Sequence, residues 1–313
     1  MTSVTVLVPA FNEGIALGAN LVRLADYFSL YGDRFSFEYV IVDDGSTDDT
    51  LAVARTFARF RENVTVLAHT QNSGLGRSLR TGFSVAKGEY VLALDADMSY
   101  SADLAIELLE TMEAQQADIV MASPYMKGGS VVNVPFMRRV LSREANRFLS
   151  LATNGRFATL TAMVRVYRTA FVKQLNAESP GMEINPEIVF AALRSGGKVV
   201  EVPARLQWSE ERRTSPARTN VKKILNQSLA VARTGFAYRP SLWLAIPGLF
   251  PGLLPLVVAI LLMLHVPART LALGAAVTVT IQYTSLAIFA GQLTSFFAHA
   301  VVAGRTSRVK VVQ

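Results

Sequence analysis

The sequence predicts an α/β fold, in which helices cover both faces of a mainly parallel sheet, followed by an interfacial amphipathic helix and two transmembrane helices. Short apolar segments alternate with segments of helical periodicity through residues 4–205, and this alternation is typical of βαβ units. Two further segments, residues 242–264 and 271–298, contain no charged residue. Each is long enough to cross a bilayer as a helix.

The strands are predicted from short apolar runs that end at proline, glycine or acidic residues. The first run, Val4–Val8, ends at Pro9. Such runs are typical of strands that are buried on both faces of a parallel sheet. The predicted strands are Val4–Val8, Phe37–Val42, Val64–Ala68, Tyr90–Leu94, Asp118–Ala122, Thr159–Val166 and Lys198–Val202.

The helices are predicted from apolar residues that recur three or four positions apart. In the first helix Leu17, Leu21, Leu24 and Phe28 recur in this way, which gives the helix one apolar face for packing on the sheet. The predicted helices of this part of the chain are Glu13–Tyr31, Thr50–Phe60, Gly76–Val85, Ile106–Met112, Met137–Leu151 and Glu187–Leu193.

Polar residues cluster where three of the predicted strands end. In open α/β sheets the ligand crevice lies outside the carboxyl ends of the strands, so we expect these residues to face one site. The candidates are Pro9, Ala10, Asn12 and Glu13, then Asp43 and Asp44, then Asp95 and Asp97, together with Gly74 in the turn before the third helix. Each motif alone is also explained as a turn or a helix cap. Three such motifs at the ends of neighbouring strands favour a nucleotide-sugar site.

The pair Asp95 and Asp97 forms the centre of this predicted site. Carboxylates are hard oxygen ligands that suit Mg²⁺ or Mn²⁺, and such an ion in turn binds a diphosphate. The acids after the first two strands can bind the base edge and the ribose hydroxyls. The alternative is a pair of solvated acids, since a bare Asp-x-Asp occurs often by chance.

In the order of its motifs the chain resembles the inverting glycosyltransferases of family 2, which have the GT-A fold, and within them the dolichyl- and polyprenyl-phosphate sugar synthases. The resemblance covers about residues 4–205. The motifs are VLVPAFNE at 6–13, VDDGSTDDT at 42–50, NSGLG at 72–76, LDAD at 94–97, KGGSV at 127–131, RRVLSREAN at 138–146 and VEVP at 200–203.

The resemblance implies transfer of a hexose, mannosyl or glucosyl in preference to others, from a GDP- or UDP-sugar to a polyprenyl phosphate. By the same resemblance Asp44 holds the nucleotide, and Asp95 with Asp97 holds the metal. The Arg and Ser that lie one helical turn apart bind the lipid phosphate, which maps onto Arg138 and Ser142. Arg165 is a further candidate for the catalytic and phosphate-binding role.

Three departures from the family pattern leave the choice of sugar and nucleotide open. Pro124 stands before Tyr125, where members often carry Arg. Ser99 stands two residues beyond the Asp-x-Asp, where Gln is common. The motif Ser-Gly-Phe-Arg, which is frequent in the family, is replaced by residues 161–165. These residues keep the Arg but lose the small and flexible Ser-Gly pair.

The chemistry of the acceptor limits what the protein has to supply. A phosphate monoester carries most of its second charge near neutral pH, since its second pKa is about 6. The nucleophile is therefore already ionised and needs no strong general base. The protein has to align the phosphate, for which Arg138, Ser142 and Arg165 are candidates, while a metal on Asp95 and Asp97 neutralises the departing diphosphate.

The basic residues indicate a membrane surface as partner and argue against nucleic acid. The net charge is +7, and bases are concentrated in residues 205–239, ahead of the first apolar segment. Val221–Tyr238 has the composition of an interfacial helix, although an ordinary amphipathic helix packed on the head is the alternative. Bases also follow the second apolar segment, so the positive-inside rule places both chain ends in the cytoplasm.

The predicted domains are a catalytic head at 1–210, a basic juxtamembrane segment at 211–240, a two-helix membrane hairpin at 241–300 and a cytoplasmic tail at 301–313. Small residues in the hairpin, among them Gly274 and Ala275, offer a surface for association into a homo-oligomer. Two other functions remain open. A processive polysaccharide synthase is disfavoured by the two available spans and the missing Gln-x-x-Arg-Trp motif, and a non-catalytic nucleotide-sugar-binding partner is disfavoured by the intact Asp-x-Asp.

Overall fold

The computed structural model describes residues 1–208, 230–231, 233–239 and 283. The chain divides into two compact units, Met1–Ala232 and Arg233–Gln313, and the first of them contains the sheet and the helices that pack on it. Among the described residues, no helix combines the length and the apolar character needed to span a bilayer. The two spans predicted from the sequence, apart from Tyr283, and most of the predicted interfacial helix lie outside the described residues.

Strands and helices alternate along the first half of the chain, as the sequence predicts. The strands are β1 Thr2–Ala10, β2 Phe35–Asp43, β3 Val64–Ala68, β4 Tyr90–Ala93, β5 Ile119–Ser123, β6 Ser130–Val132, β7 Arg165–Arg168, β8 Val199–Pro203 and β9 Arg205–Gln207. The helices are α1 Gly14–Ser29, α2 Thr50–Ala58, α3 Leu75–Val85, α4 Ala102–Gln115, α5 Phe136–Ala152, α6 Thr169–Val172 and α7 Ile184–Arg194.

Seven strands form the main sheet in the order β3-β2-β1-β4-β7-β5-β8. All neighbouring pairs are parallel except the two made by β7, which runs antiparallel to both β4 and β5. The parallel strands β1, β2 and β4 therefore end at the same edge of the sheet. The predicted α/β class with a mainly parallel sheet is confirmed.

Alternate residues of β1 pack against helices on opposite faces of the sheet. Val4, Val6 and Val8 join the core that contains the apolar face of α1, whose Leu17, Leu21, Leu24 and Phe28 are all buried. Leu7 points the other way, and its side chain lies so close to Gly82 of α3 that a Cβ there would be 2.2 Å from it. Because β1 is apolar at every position from Val6 to Val8, it can pack against helices on both faces of the sheet, and helices cover both faces.

One prediction about strands is wrong, and two short strands are not predicted from the sequence. The strand predicted at Thr159–Val166 begins only at Arg165, because backbone groups of the preceding loop are bound by the side chains of Asn146, Arg165 and Glu201. Val164 still accepts a hydrogen bond from β5. The short parallel pair β6 and β9 forms a second sheet. Each of these strands has three residues, which is too short for periodicity to reveal.

Candidate active site

The loops after β1 and β2 are joined by side chains of their own motifs. The backbone N–H of Asn12 donates to Ser46 Oγ at 3.0 Å, and Asn12 Oδ1 accepts from the backbone N–H of Thr47 at 2.9 Å. The N–H of Glu13 donates to Thr50 Oγ1 at 2.8 Å. Asn12 has a φ of 54°, a conformation that asparagine tolerates better than most residues. The residue that the sequence also allowed as a helix cap therefore ties two loops together.

Asp44 is buried, and its carboxylate is occupied by neighbouring parts of the protein. Its Oδ1 lies 2.8 Å from His69 Nδ1 and accepts from the N–H of Ser73 at 2.9 Å, while its Oδ2 accepts from the N–H of Gly74 at 2.8 Å. His69 Nε2 lies 3.0 Å from Thr81 Oγ1. Asp44 therefore holds the loop before α3 in place. Sequence reasoning missed His69, because a single histidine ahead of the NSGLG motif carries no pattern of its own.

Asp43 differs from Asp44 because only one of its two carboxylate oxygens accepts a hydrogen bond from the described residues. Its Oδ2 accepts from the N–H of Ser46 at 3.3 Å. Its Oδ1 is buried without a hydrogen-bond partner among the described residues, which is costly unless a ligand donates to it. Of the two acids after β2, Asp43 is thus the one whose carboxylate suits the N–H or O–H groups of a nucleotide.

Gly45 and Gly74 are required because the backbone approaches closely at both. Gly45 has a φ of 68°, and a Cβ there would lie 2.3 Å from the carbonyl carbon of Gln71. Gly74 has a φ of 90°, and its Cβ would lie 2.4 Å from the carbonyl oxygen of Pro180. The N–H of Gly76 donates to the same Pro180 oxygen at 2.7 Å. The predicted Gly74 turn therefore packs between the loop of Asp44 and the segment before α7.

Pro9 and Ala10 end β1 beside these loops, and the carbonyl of Ala10 accepts from the N–H of Asp44 at 2.8 Å.

Asp95 and Asp97 follow β4, as predicted, and both are half-buried. Asp97 Oδ1 accepts from the N–H of Ser99 at 3.1 Å and from its hydroxyl at 2.5 Å. Burial raises the pKa of the Tyr100 hydroxyl, and the charge of Asp95 raises it further, so this phenol stays protonated beside the acids.

The donor set at Asp95 and Asp97 fits a divalent cation that is shared with a diphosphate. No group of three or more His, Cys, Asp or Glu residues in the described part of the chain is placed to hold an ion by itself. Mg²⁺ is usually bound by one or two carboxylates together with substrate phosphates, rather than by a complete protein cage. Two half-buried carboxylates at the carboxyl end of a strand meet that requirement.

Arg138 and Ser142 lie one turn apart on α5 and are each held by an aromatic residue. The guanidinium carbon of Arg138 is 4.8 Å from the centroid of the Trp208 ring, and Trp208 is buried. The side chain of Ser142 lies beside the Tyr125 hydroxyl. Burial raises the pKa of Tyr125, against the effect of Ser142 and of two nearby arginines. A neutral phenol therefore supports Ser142.

A continuous path of contacts connects the Asp-x-Asp to α5. Ser99, which binds Asp97 through its hydroxyl, accepts with its carbonyl oxygen from the N–H of Gln207 at 2.9 Å. Gln207 ends β9, and the next residue is Trp208, over which Arg138 stacks. The structure thus brings the candidate metal ligands and the candidate phosphate ligand to the same region. Sequence reasoning missed Trp208, since a single aromatic residue after a short strand carries no pattern.

The assignment of Arg165 to the acceptor phosphate does not fit this structure. Its side chain is fully buried at the start of β7. It donates through Nε to the carbonyl of Ala162 at 2.8 Å, through one terminal nitrogen to that of Asn185 at 2.7 Å and through the other to that of Leu160 at 2.6 Å. These bonds engage all three guanidinium nitrogens inside the protein. Arg165 therefore organises the loop before β7 and does not face a ligand.

Comparisons with known proteins agree with this arrangement. Residues 5–175 match the family described as glycosyl transferase family 2. The chain is 33% identical to a polyprenol monophosphomannose synthase of Mycolicibacterium smegmatis over 52% of this chain and 64% of that protein. It is 31% identical to an undecaprenyl-phosphate mannosyltransferase of Micrococcus luteus, over 64% of this chain and 82% of that protein. A dolichol-phosphate mannosyltransferase of Pyrococcus furiosus is also 31% identical, over 64% of this chain and 55% of its own length. The chain thus spans less than two thirds of the mycobacterial and archaeal relatives.

Solved structures share the fold at low sequence identity. Glucosyl-3-phosphoglycerate synthase of Mycobacterium tuberculosis, in complex with Mn²⁺, UDP and glucosyl-3-phosphoglycerate, superposes with a TM-score of 0.58 at 17% identity, over 76% of this chain and 80% of that one. Mannosyl-3-phosphoglycerate synthase of Rubrobacter xylanophilus gives 0.56 at 18% identity, over 74% and 72%. With the motifs in order at the carboxyl ends of β1, β2 and β4, the family match identifies this chain as a member of glycosyltransferase family 2.

Proposed function

We propose that this protein transfers a hexose from a nucleotide diphosphate sugar to a polyprenyl phosphate. The observation that carries the proposal is the path from Asp97 through Ser99 and Gln207 to Trp208 and Arg138. It links a pair of carboxylates suited to a metal-bound diphosphate with an arginine suited to a phosphate. Three relatives whose names describe transfer to, or synthesis on, a polyprenyl-type phosphate support the same acceptor class.

The donor side of the site is formed by the loops after β1, β2 and β4. Asp43 offers the nucleoside its buried Oδ1, to which no described residue donates, while Asp44 and Gly74 shape the loop beside it. Asp95 and Asp97 would hold Mg²⁺ or Mn²⁺, which supplies positive charge to the departing diphosphate. A structural neighbour that contains Mn²⁺ and UDP supports a metal of this kind.

The acceptor side is formed by Arg138 and Ser142 on α5. A guanidinium and a hydroxyl one turn apart can bind two oxygens of one phosphate. Because the phosphate is already ionised near neutral pH, the pair only has to align an anionic oxygen with the anomeric carbon. Direct displacement from that side gives inversion at the anomeric carbon.

The proposal places the protein on the cytoplasmic face of a membrane. The exposed surface of α5 carries Phe136, Met137 and Val140 next to the exposed bases Arg139 and Arg143. Apolar and basic residues on one helix face suit the interface of an anionic bilayer. The charge distribution of the sequence supports a two-helix hairpin with both chain ends in the cytoplasm, and association of such hairpins into an oligomer belongs to the same proposal.

The test is an assay of the full-length protein in detergent or vesicles with radiolabelled GDP-mannose and UDP-glucose. Each donor is offered with undecaprenyl phosphate, with 3-phosphoglycerate or with no acceptor. The expected result is label in a lipid-soluble product that needs undecaprenyl phosphate and a divalent cation and that contains one sugar. Label in phosphoglycerate alone, or in a polymer, would refute the proposed acceptor or the single transfer, and donor binding without any transfer would identify a non-catalytic partner.

A further inference from the structure

Asn146 is a buried polar residue on the inner side of α5, and it makes four hydrogen bonds. Its side-chain nitrogen donates to the carbonyl of Ser142 at 2.8 Å and to Thr161 Oγ1 at 2.8 Å. Its Oδ1 accepts from the N–H of Leu160 at 2.8 Å and from that of Thr161 at 3.2 Å. The side chain is 1% exposed. All the hydrogen-bonding capacity of one amide is therefore used to join a helix to a loop.

An apolar residue at this position would leave the backbone N–H groups of Leu160 and Thr161 without the acceptor that Asn146 provides. Burying an amide is unfavourable unless its bonds are made, and hydrogen bonds contribute less net stability than their number implies. What these bonds do supply is direction, because they hold only at one distance and angle. These bonds fix Ser142 through its carbonyl oxygen. Ser142 lies one turn before Asn146 on α5 and one turn after Arg138.

The loop on the other side of Asn146 is held from behind by Arg165. Its guanidinium binds the carbonyls of Leu160 and Ala162, on either side of Thr161. Leu160 therefore presents its N–H to Asn146 and its carbonyl to Arg165. Asn146 thus connects α5 to a segment that is anchored to β7, a strand in the interior of the main sheet.

We propose that Asn146 is a positioning residue for the acceptor phosphate, and that Arg165 acts in the same way one step further back. Asn146 fixes the turn of α5 that carries Ser142, and Arg165 fixes the loop to which Asn146 binds. The proposal rests on the proposed function, because the ligand that Ser142 and Arg138 bind is taken to be the phosphate of a polyprenyl lipid. In this proposal Arg165 does not bind the phosphate itself, but supports the residues that bind it.

The experiment measures the KM for undecaprenyl phosphate and the KM for the nucleotide sugar separately, in the full-length protein. Asn146→Ala removes all four bonds, and Thr161→Val removes only the hydroxyl that accepts from Asn146. The matched control is Thr5→Val. Thr5 is as buried as Asn146 and accepts from the N–H of Gly88 at 2.9 Å, but it lies in the first half of β1, away from the carboxyl edge. Thermal unfolding of all three variants gives the loss of stability.

We expect Asn146→Ala to raise the KM for undecaprenyl phosphate about tenfold, and Thr161→Val about threefold, as for the loss of one or two buried hydrogen bonds. The KM for the donor should stay within about twofold, while Thr5→Val lowers the unfolding temperature without separating the two constants. Equal changes in both KM values, the same separation in Thr5→Val, or no change in either site variant would overturn the proposal. If Asn146→Ala does not fold, Thr161→Val decides. A wild-type protein without transfer to undecaprenyl phosphate would instead refute the proposed function.

Discussion

The guanidinium of Arg138 stacks over the ring of Trp208, with 4.8 Å between the guanidinium carbon and the ring centroid. A guanidinium is a planar fork of donors, which matches the geometry of a phosphate. Trp208 follows directly on β9, which is tied to Ser99 beside the Asp-x-Asp. The relationship thus connects the arginine proposed to bind the acceptor with the motif proposed to bind a metal.

Replacing Trp208 by Leu should weaken acceptor binding. A cation–π contact contributes about 0.5–2 kcal/mol, so the KM for undecaprenyl phosphate should rise roughly two- to thirtyfold. Trp208→Phe keeps an aromatic face and should restore most of the affinity. Steady-state kinetics at saturating nucleotide sugar is the measurement. Equal activity of the Leu and Phe variants would show that the aromatic face has no part in binding.

Arg138 and Arg139 provide a matched pair of variants, because they are neighbours on α5 with different surroundings. Arg138 is half-buried on Trp208, whereas Arg139 is exposed and lies over Phe136 at 5.8 Å. Arg138→Ala should raise the KM for the acceptor at least about tenfold, since hydrogen bonds to charged groups contribute about 1.5–3 kcal/mol.

Arg139→Ala is the control, and it should lower binding to anionic vesicles with little effect on a short, water-soluble prenyl phosphate. Ser142→Ala should act on the acceptor in the same direction as Arg138→Ala but more weakly, because its bond to the phosphate involves a neutral donor. A change in donor affinity in Arg138→Ala, with the acceptor dependence unaltered, would move this residue to the nucleotide site.

Asp97→Asn should remove a ligand charge without disturbing the fold. The amide oxygen of Asn can still accept from Ser99, and the residue is half-buried. Transfer should fall at least about tenfold, since a metal contributes several kcal/mol to stabilising the departing diphosphate. Isothermal titration of Mn²⁺ in the presence of a nucleoside diphosphate gives a readout besides activity. Asp33→Asn, at an exposed position before β2, is the control, and full activity of Asp97→Asn would contradict the metal assignment.

Asp43 and Asp44 should respond differently to the same substitution. In Asp44→Asn the amide N–H₂ would replace one of the two oxygens and face the N–H of either Ser73 or Gly74, so we expect a loss of about 1–3 kcal/mol in the free energy of unfolding. Asp43→Asn leaves its neighbours largely satisfied and should mainly weaken nucleotide binding. Chemical denaturation and titration with nucleoside diphosphates separate the two effects, and a reversed order of stability losses would contradict these assignments.

The sequence by itself determined the βαβ order, the α/β class and the family. These depend on local patterns: apolar runs at strand spacing, helical periodicity in α1, and motifs whose place at strand ends follows from the rule that parallel strands share a carboxyl edge. Asp95 and Asp97 were found for this reason. Asp43 and Asp44 were found together, but one neighbouring acid could not be told from the other, because their difference lies in contacts with residues far along the chain.

Only the tertiary structure shows which of these side chains are bound by other parts of the protein. The alternation of side chains in a strand does not reveal that Arg165 points into the protein, and only the carbonyls gathered around it show its structural role. Asn146 and Trp208 likewise take their meaning from partners brought together by packing. Hydrogen bonds and ring contacts between distant segments depend on three-dimensional proximity, and no spacing along the sequence encodes it.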